Sequence, residues 1–254
     1  MQVTDTTADL PSGQVFNRDS GGTGVPVVFL HAASGNSMLW EYQIPAFTQA
    51  GYRFIAIDHR AAPRGGNSSA VIHELLTTLG IERLHLLGTA AGGGAALQYA
   101  LAHADKLRSL VVANSIGFVL DSEYIGMSNR IRPASQFNQL PLDFRELGPS
   151  YRAANPDGVA RWLALSAKGQ ASAGSLAQDG GNLEVTWAAL ENLKVPTLLI
   201  TGDADLYTPP SVLRMFVTRM HDAESAVIAE TGHSSYWESP EVFNRAVLAF
   251  IRKH

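Results

Sequence analysis

Six short apolar runs without polar alternation constrain this chain most: VPVVFLHA (25–32), YRFIAID (52–58), LHLLGT (84–89), LRSLVVANS (107–115), PTLLITG (196–202) and ESAVIAE (224–230). A strand with one wet face alternates polar and apolar residues, whereas a strand apolar on both faces belongs in a parallel sheet covered by helices on each side. Helical patterns fall between the runs, at 38–50, 68–79, 91–103, 209–218 and 239–253. Strand and helix therefore take turns, and the fold class is α/β with a mostly parallel central sheet flanked by helices. One further strand, near GQVFNRDS, is expected to pair at an edge of the sheet.

The alternation breaks once, between LRSLVVANS and PTLLITG. Residues 116–186 carry helix pieces punctuated by Gly and Pro, which predicts a core of 1–115 and 187–254 with a helical lid at 116–186. An insertion there lies at the carboxyl edge of the sheet, where ligands of such folds bind. Within it, KGQASAGSLAQDGGN (168–182) is small and polar and is expected to be loop-like.

Bulk properties exclude several functions. The net charge is -4 with no basic stripe, so no nucleic-acid partner is expected. The chain has no cysteine, which removes disulfides and thiolate chemistry. Its first residues, MQVTDTTADLPSG, lack the basic and apolar regions of a signal peptide, and no apolar run is long enough to span a bilayer. The expectation is a soluble, cytoplasmic protein with no membrane contact. His59, His73, His85 and His103 have no companions at metal-ligand spacing, and neither a metal nor a cofactor is expected.

The segments that carry chemistry all follow strand ends. They are HAASG (31–35), the turn in LHLLGTAAGGGAAL (84–97), TGDADLYTPP (201–210) and ETGHSSYWESPEVF (230–243). Their content and order resemble the α/β-hydrolase superfamily over nearly the whole chain, with Ala90 where that family carries its nucleophilic serine. In the family's numbering the lid follows the sixth strand. The resemblance implies that His233 is a general base oriented by Asp205, and that the amides of Ala33 and Ala91 form an oxyanion hole. Gly88 and Gly92 would leave room for the sharp turn, and Asp58 would brace the neighbouring loop. Ser34, Trp162, Arg130 and Trp237 are the candidates for touching substrate, an arginine of the insertion suiting a carboxylate. Thr89, the one hydroxyl in the turn, should point away from the site.

A methyl group cannot attack a carbonyl, so the covalent acyl-enzyme route is closed to this sequence. Three readings remain open at this level. One is hydrolysis of a small ester, lactone or activated carbon–carbon bond through the His233/Asp205 pair, with Ala90 either natural or a serine replaced to trap substrate. Another is a cofactor-independent lyase or oxygenase in which the pair moves a proton without a covalent intermediate. A non-catalytic receptor is disfavoured, because binding alone has little use for the pair. The chain has His31-Ala32 where the family usually has His-Gly, and RAAPRGGNS (60–68) where it usually has R-G-x-G-x-S. Several departures around one site favour natural divergence. VVANSIGFVLDSEYIGM (111–127) is faintly similar to enol-lactone hydrolases, which implies a small, carboxylated substrate. Oligomeric state leaves no mark in the sequence.

Overall fold

In the computed structural model, which describes residues 3–59, 68–115, 117–172 and 185–254, eight strands form one sheet. They are β1 (Thr4–Leu10), β2 (Gly13–Asp19), β3 (Pro26–Leu30), β4 (Arg53–Ile57), β5 (Leu84–Thr89), β6 (Leu107–Ala113), β7 (Thr197–Gly202) and β8 (Ala223–Ile228), in the spatial order 1-2-4-3-5-6-7-8. β1 and β2 form an antiparallel hairpin, β2 pairs antiparallel with β4, and all later pairings are parallel.

Twelve helices are described: α1 (Gln43–Gln49), α2 (Ser68–Thr78), α3 (Ala91–Ala102), α4 (Ser122–Ile131), α5 (Ala134–Phe137), α6 (Leu142–Glu146), α7 (Pro149–Ala154), α8 (Pro156–Ser172), α9 (Trp187–Asn192), α10 (Pro210–Val217), α11 (Ser235–Glu238) and α12 (Pro240–Ile251). Successive strand residues point to opposite faces. Val28 and Leu30 thus join a core with Leu75 of α2, Leu97 of α3 and Phe216 of α10, while Val27 and Phe29 join one with Phe47 of α1, Trp162 of α8 and Phe243 of α12. Both faces of the central strands are dry, as their continuous apolar sequence requires.

The structure corrects three expectations. β1 was not anticipated, because TDTTADL is an exposed edge strand whose polar residues hide it from a search for apolar runs. The helix expected at 38–50 is a 3₁₀ turn at Ser37–Trp40 followed by α1. The loop expected at 168–182 is helical as far as Ser172, since α8 runs on. Gly169 belongs there because a Cβ on it would lie 2.5 Å from the Gly35 carbonyl oxygen, so the missing side chain lets α8 press on the loop after β3. The rest of that stretch, 173–182, and residues 60–67 of RAAPRGGNS lie outside the described residues.

Candidate active site

The turn between β5 and α3 is sharp, with Ala90 at its centre. Ala90 has φ 50° and ψ -116°, a conformation that costs a non-glycine residue about 1–3 kcal/mol and persists only where the surroundings impose it. Those surroundings are visible. A Cβ on Gly88 would sit 2.1 Å from the Gly92 carbonyl oxygen, and one on Gly92 would sit 2.3 Å from that of Leu30. Gly93 and Gly94 meet Ser115 and Phe118 in the same way, so four glycines admit a helix where propensity alone disfavours it. Ala91 is the first residue of α3, and the first amides of a helix have no intrahelical acceptor.

The loop after β3 is anchored at several points. The Ser37 amide donates to Asp58 Oδ1 at 2.6 Å, the Gly35 amide to the Ala32 carbonyl at 3.0 Å, and Asn36 Nδ2 to the Leu165 carbonyl of α8 at 3.0 Å. His31 Nδ1 lies 2.7 Å from the Ala32 carbonyl.

Opposite the turn, the two Asp205 oxygens each lie 2.9 Å from His233 Nδ1. Asp205 is buried and also accepts from the amides of Tyr207 (2.8 Å) and Thr208 (2.9 Å), from Asn114 Nδ2 (3.0 Å) and from Thr201 Oγ1 (3.2 Å). Burial works against its charge, but His233 and these donors outweigh it and hold the carboxyl below the ordinary aspartate range. Burial likewise works against a charged His233, and the Asp205 carboxylate outweighs it, so the imidazole is raised above its ordinary value. With Nδ1 committed to Asp205, Nε2 is the nitrogen left for chemistry. The Tyr207 ring packs 4.2 Å from the His233 ring and fixes its plane. The loop bearing His233 is tied down by Glu238, which accepts from the amides of Gly232, Ser234 and, in the insertion, Gly148; burial pushes its carboxyl up to about 7.

A cavity of about 220 Å³ joins these parts, lined by Ala32, Ala33, Ser34, Ala90, Ala91, Phe118, Arg132, Glu146, Tyr207 and His233. Four alanines, Ala32, Ala33, Ala90 and Ala91, are among its lining, and its size is below the usual 300–1,000 Å³ of ligand sites, which limits it to a small guest. Of the residues expected from sequence, Ala33, Ser34, Ala90, Ala91 and His233 line it, and Asp205 stands behind His233. Three do not. Trp162 and Trp237 are fully buried in the core on the α8 and α12 face, where their large apolar rings fill volume between helices and sheet. Arg130 is exposed near the end of α4, and it is Arg132, just beyond that helix, that reaches the cavity, with its guanidinium 5.5 Å from the Tyr207 ring centroid. Thr89 is buried and does not line the cavity.

Asn114 and Glu146 carry no signal in the motifs, whereas Arg132, one of several arginines between β6 and β7 suited to a carboxylate, and Tyr207, readable as core or pocket wall, both line the cavity. Asn114 alone left a trace: it is the polar break at the end of an apolar strand, has φ 48°, and ties Asp205 to the Gly232 carbonyl. Among the described residues, no group of three His, Cys, Asp or Glu could hold a metal, and no helix is long and apolar enough to cross a membrane.

A family model described as alpha/beta hydrolase fold matches residues 25–240. The chain is similar to the 2-hydroxy-6-oxononadienedioate/2-hydroxy-6-oxononatrienedioate hydrolase of Burkholderia vietnamiensis, at 25% identity over 280 residues that cover 94% of this chain and 91% of that one. Among solved structures, the enol-lactonase from Burkholderia xenovorans superposes with a TM-score of 0.79 at 20% identity, covering 97% of this chain and 100% of its own. A bromoperoxidase from Bacillus anthracis gives 0.76 at 21% identity, covering 98% and 100%. At these identities the solved structures speak to the fold.

Proposed function

This chain belongs to the alpha/beta hydrolase fold family, and from that premise we propose that it hydrolyses a small, carboxylated carbonyl compound by general-base catalysis from His233, with no covalent bond to residue 90. The observation that carries the reading is the buried Asp205–His233 pair, held by four further donors to Asp205 beside a turn whose central side chain is a methyl. Paired, buried charge is expensive to maintain for binding alone.

In this reading a water bound over the Ala90 methyl gives a proton to His233 Nε2, and its oxygen attacks the carbonyl carbon. The carbonyl electron pair moves to oxygen, where the amides of Ala33 and Ala91 and the start of α3 stabilise the charge. Collapse breaks the bond to the leaving group, which departs protonated. Arg132 would take the substrate carboxylate, the Ser34 hydroxyl would hydrogen-bond a substrate oxygen, and residues 116–186 would act as the lid that brings Arg132 and Phe118 over the cavity. The Burkholderia vietnamiensis relative, named for a dienedioate, and the enol-lactonase neighbour both suit a substrate of this kind.

The test is turnover of small esters and enol-lactones by the unaltered chain beside His233→Gln. The unaltered chain should be active, the variant should lose about 10²–10⁴-fold, and activity should fall as pH drops through a midpoint above the ordinary histidine value of about 6.5, because the base must be neutral and Asp205 raises it. Activity untouched by His233→Gln overturns the reading. Exchange of an acidic C–H proton without hydrolysis, dependent on His233, would place the chain with the cofactor-independent lyases instead. Arg132→Gln should raise KM about tenfold or more for a carboxylated ester over its uncharged analogue, in keeping with a lost charge-assisted hydrogen bond.

A further inference from the structure

Glu146 is the one buried acid of the cavity that the mechanism above leaves unused. It ends α6, is 6% exposed, and lines the same space as His233, Ala90 and Ala91. Its Oε1 accepts from the Tyr207 hydroxyl at 3.3 Å, and its Oε2 has no hydrogen-bond partner among the described residues. A carboxyl that serves only the fold looks different here, as Glu238 shows by accepting three backbone amides. We propose that Glu146 is the second acid–base residue of this site, giving a proton to the leaving atom of the substrate while His233 takes one from water.

This rests on the hydrolytic reading and assigns the proton that the reading leaves without a donor. The groups that face Glu146 are His233, Asp205, Tyr207 and Tyr236, with Arg145 on its own helix and Arg132 across the cavity. Among the described residues none of the cations forms an ion pair with it, so a carboxylate would be buried and poorly compensated. Burial first, and the Asp205 charge with it, push its carboxyl up; His233, the Tyr207 hydrogen bond and Arg145 offset this only in part. A protonated carboxyl must donate as well as accept, and a guest in the cavity can supply the missing acceptor.

The step balances. One O–H bond of water breaks, its proton goes to His233 Nε2, and its oxygen bonds to the carbonyl carbon. As the carbon–leaving-atom bond breaks, its electron pair goes to the leaving atom, which takes the Glu146 proton. The proton on His233 returns to Glu146 through solvent when products leave. Burial without a paired counter-charge favours the proton-bearing form of Glu146, while Asp205 holds His233 Nδ1 and orients its other nitrogen to take a proton, and such a difference of partners separates acid from base roles.

The experiment compares Glu146→Gln with the unaltered chain on two esters of one acid, an alkyl ester and a nitrophenyl ester. The alkyl ester should lose about 10²–10⁴-fold, since its alkoxide needs a proton to leave, and the nitrophenyl ester should lose at least tenfold less. The alkaline limb of the kcat/KM profile, where Glu146 gives up its proton, should vanish in the variant, the limbs of the unaltered chain belonging to the coupled pair. Equal losses on both esters, or none, overturn the proposal while leaving the His233 base in place. An unaltered chain inactive on both esters overturns the hydrolytic reading and this one together. Should Glu146→Gln fail to fold, the unaltered chain decides on a series of esters: a shallow dependence of kcat on leaving-group basicity supports the assignment, and a steep one contradicts it.

Discussion

Asp205→Asn is expected to lower kcat by about 10³–10⁴-fold while the chain still folds, the size of effect that follows when a catalytic histidine loses its orienting carboxylate. Asp205 accepts every bond it makes, from His233 Nδ1, two amides, Asn114 Nδ2 and Thr201 Oγ1. An asparagine retains one acceptor oxygen, and the two amides at 2.8 and 2.9 Å claim it. Its amino group then faces His233 and Asn114. To avoid a donor against a donor, the imidazole must place its proton on Nε2, where the mechanism needs a lone pair. The acid limb of kcat/KM should also move down, because the charge that raises His233 is gone. Steady-state kinetics across pH measures both effects. An unchanged kcat would mean that the pair does not hold the reacting proton.

Ala90→Ser should open the covalent route that this sequence lacks. The elbow geometry is already in place, with φ 50° at residue 90, small residues around it and His233 across the cavity. In the proposed reading a hydroxyl there would face His233 and the amides of Ala33 and Ala91 and so complete a triad. Turnover of an activated nitrophenyl ester should rise by about 10²-fold or more, with a burst of nitrophenol equal to the enzyme present. Turnover of the native substrate should stay level or fall, because the new hydroxyl takes the place of the attacking water. A serine variant that speeds both substrates alike would mean that residue 90 belongs in the native pathway after all.

The fold was legible because it rests on patterns that sequence carries directly. Runs such as PVVFL and TLLITG are apolar on both faces because both faces are covered, and their alternation with helices names the sheet. The edges were harder: TDTTADL has solvent on its outer side, so its strand character rests on pairing with β2 and not on composition. At the candidate site, His233 and Asp205, which the structure brings within 2.9 Å, and the glycines of the turn stand out in the sequence by their positions after strand ends. The insertion offered no such anchor. Arg130 and Arg132 differ only in where α4 stops, and Glu146 reads as an ordinary surface acid until the packing of α6 buries it beside Tyr207. Trp162 and Trp237 look as much like a pocket wall as like core, and only the tertiary packing separates the two.

If His233 acts as a base on water, as proposed, no side chain of the unaltered chain ever carries the acyl group. Intact-mass measurement of the unaltered chain, quenched during steady turnover of a hydrolysed ester, reads this out. The mass should stay unmodified throughout, with turnover abolished by His233→Gln and an acyl adduct seen only in Ala90→Ser. An acyl adduct on the unaltered chain, on Ser34 or any other side chain, would contradict the proposed mechanism.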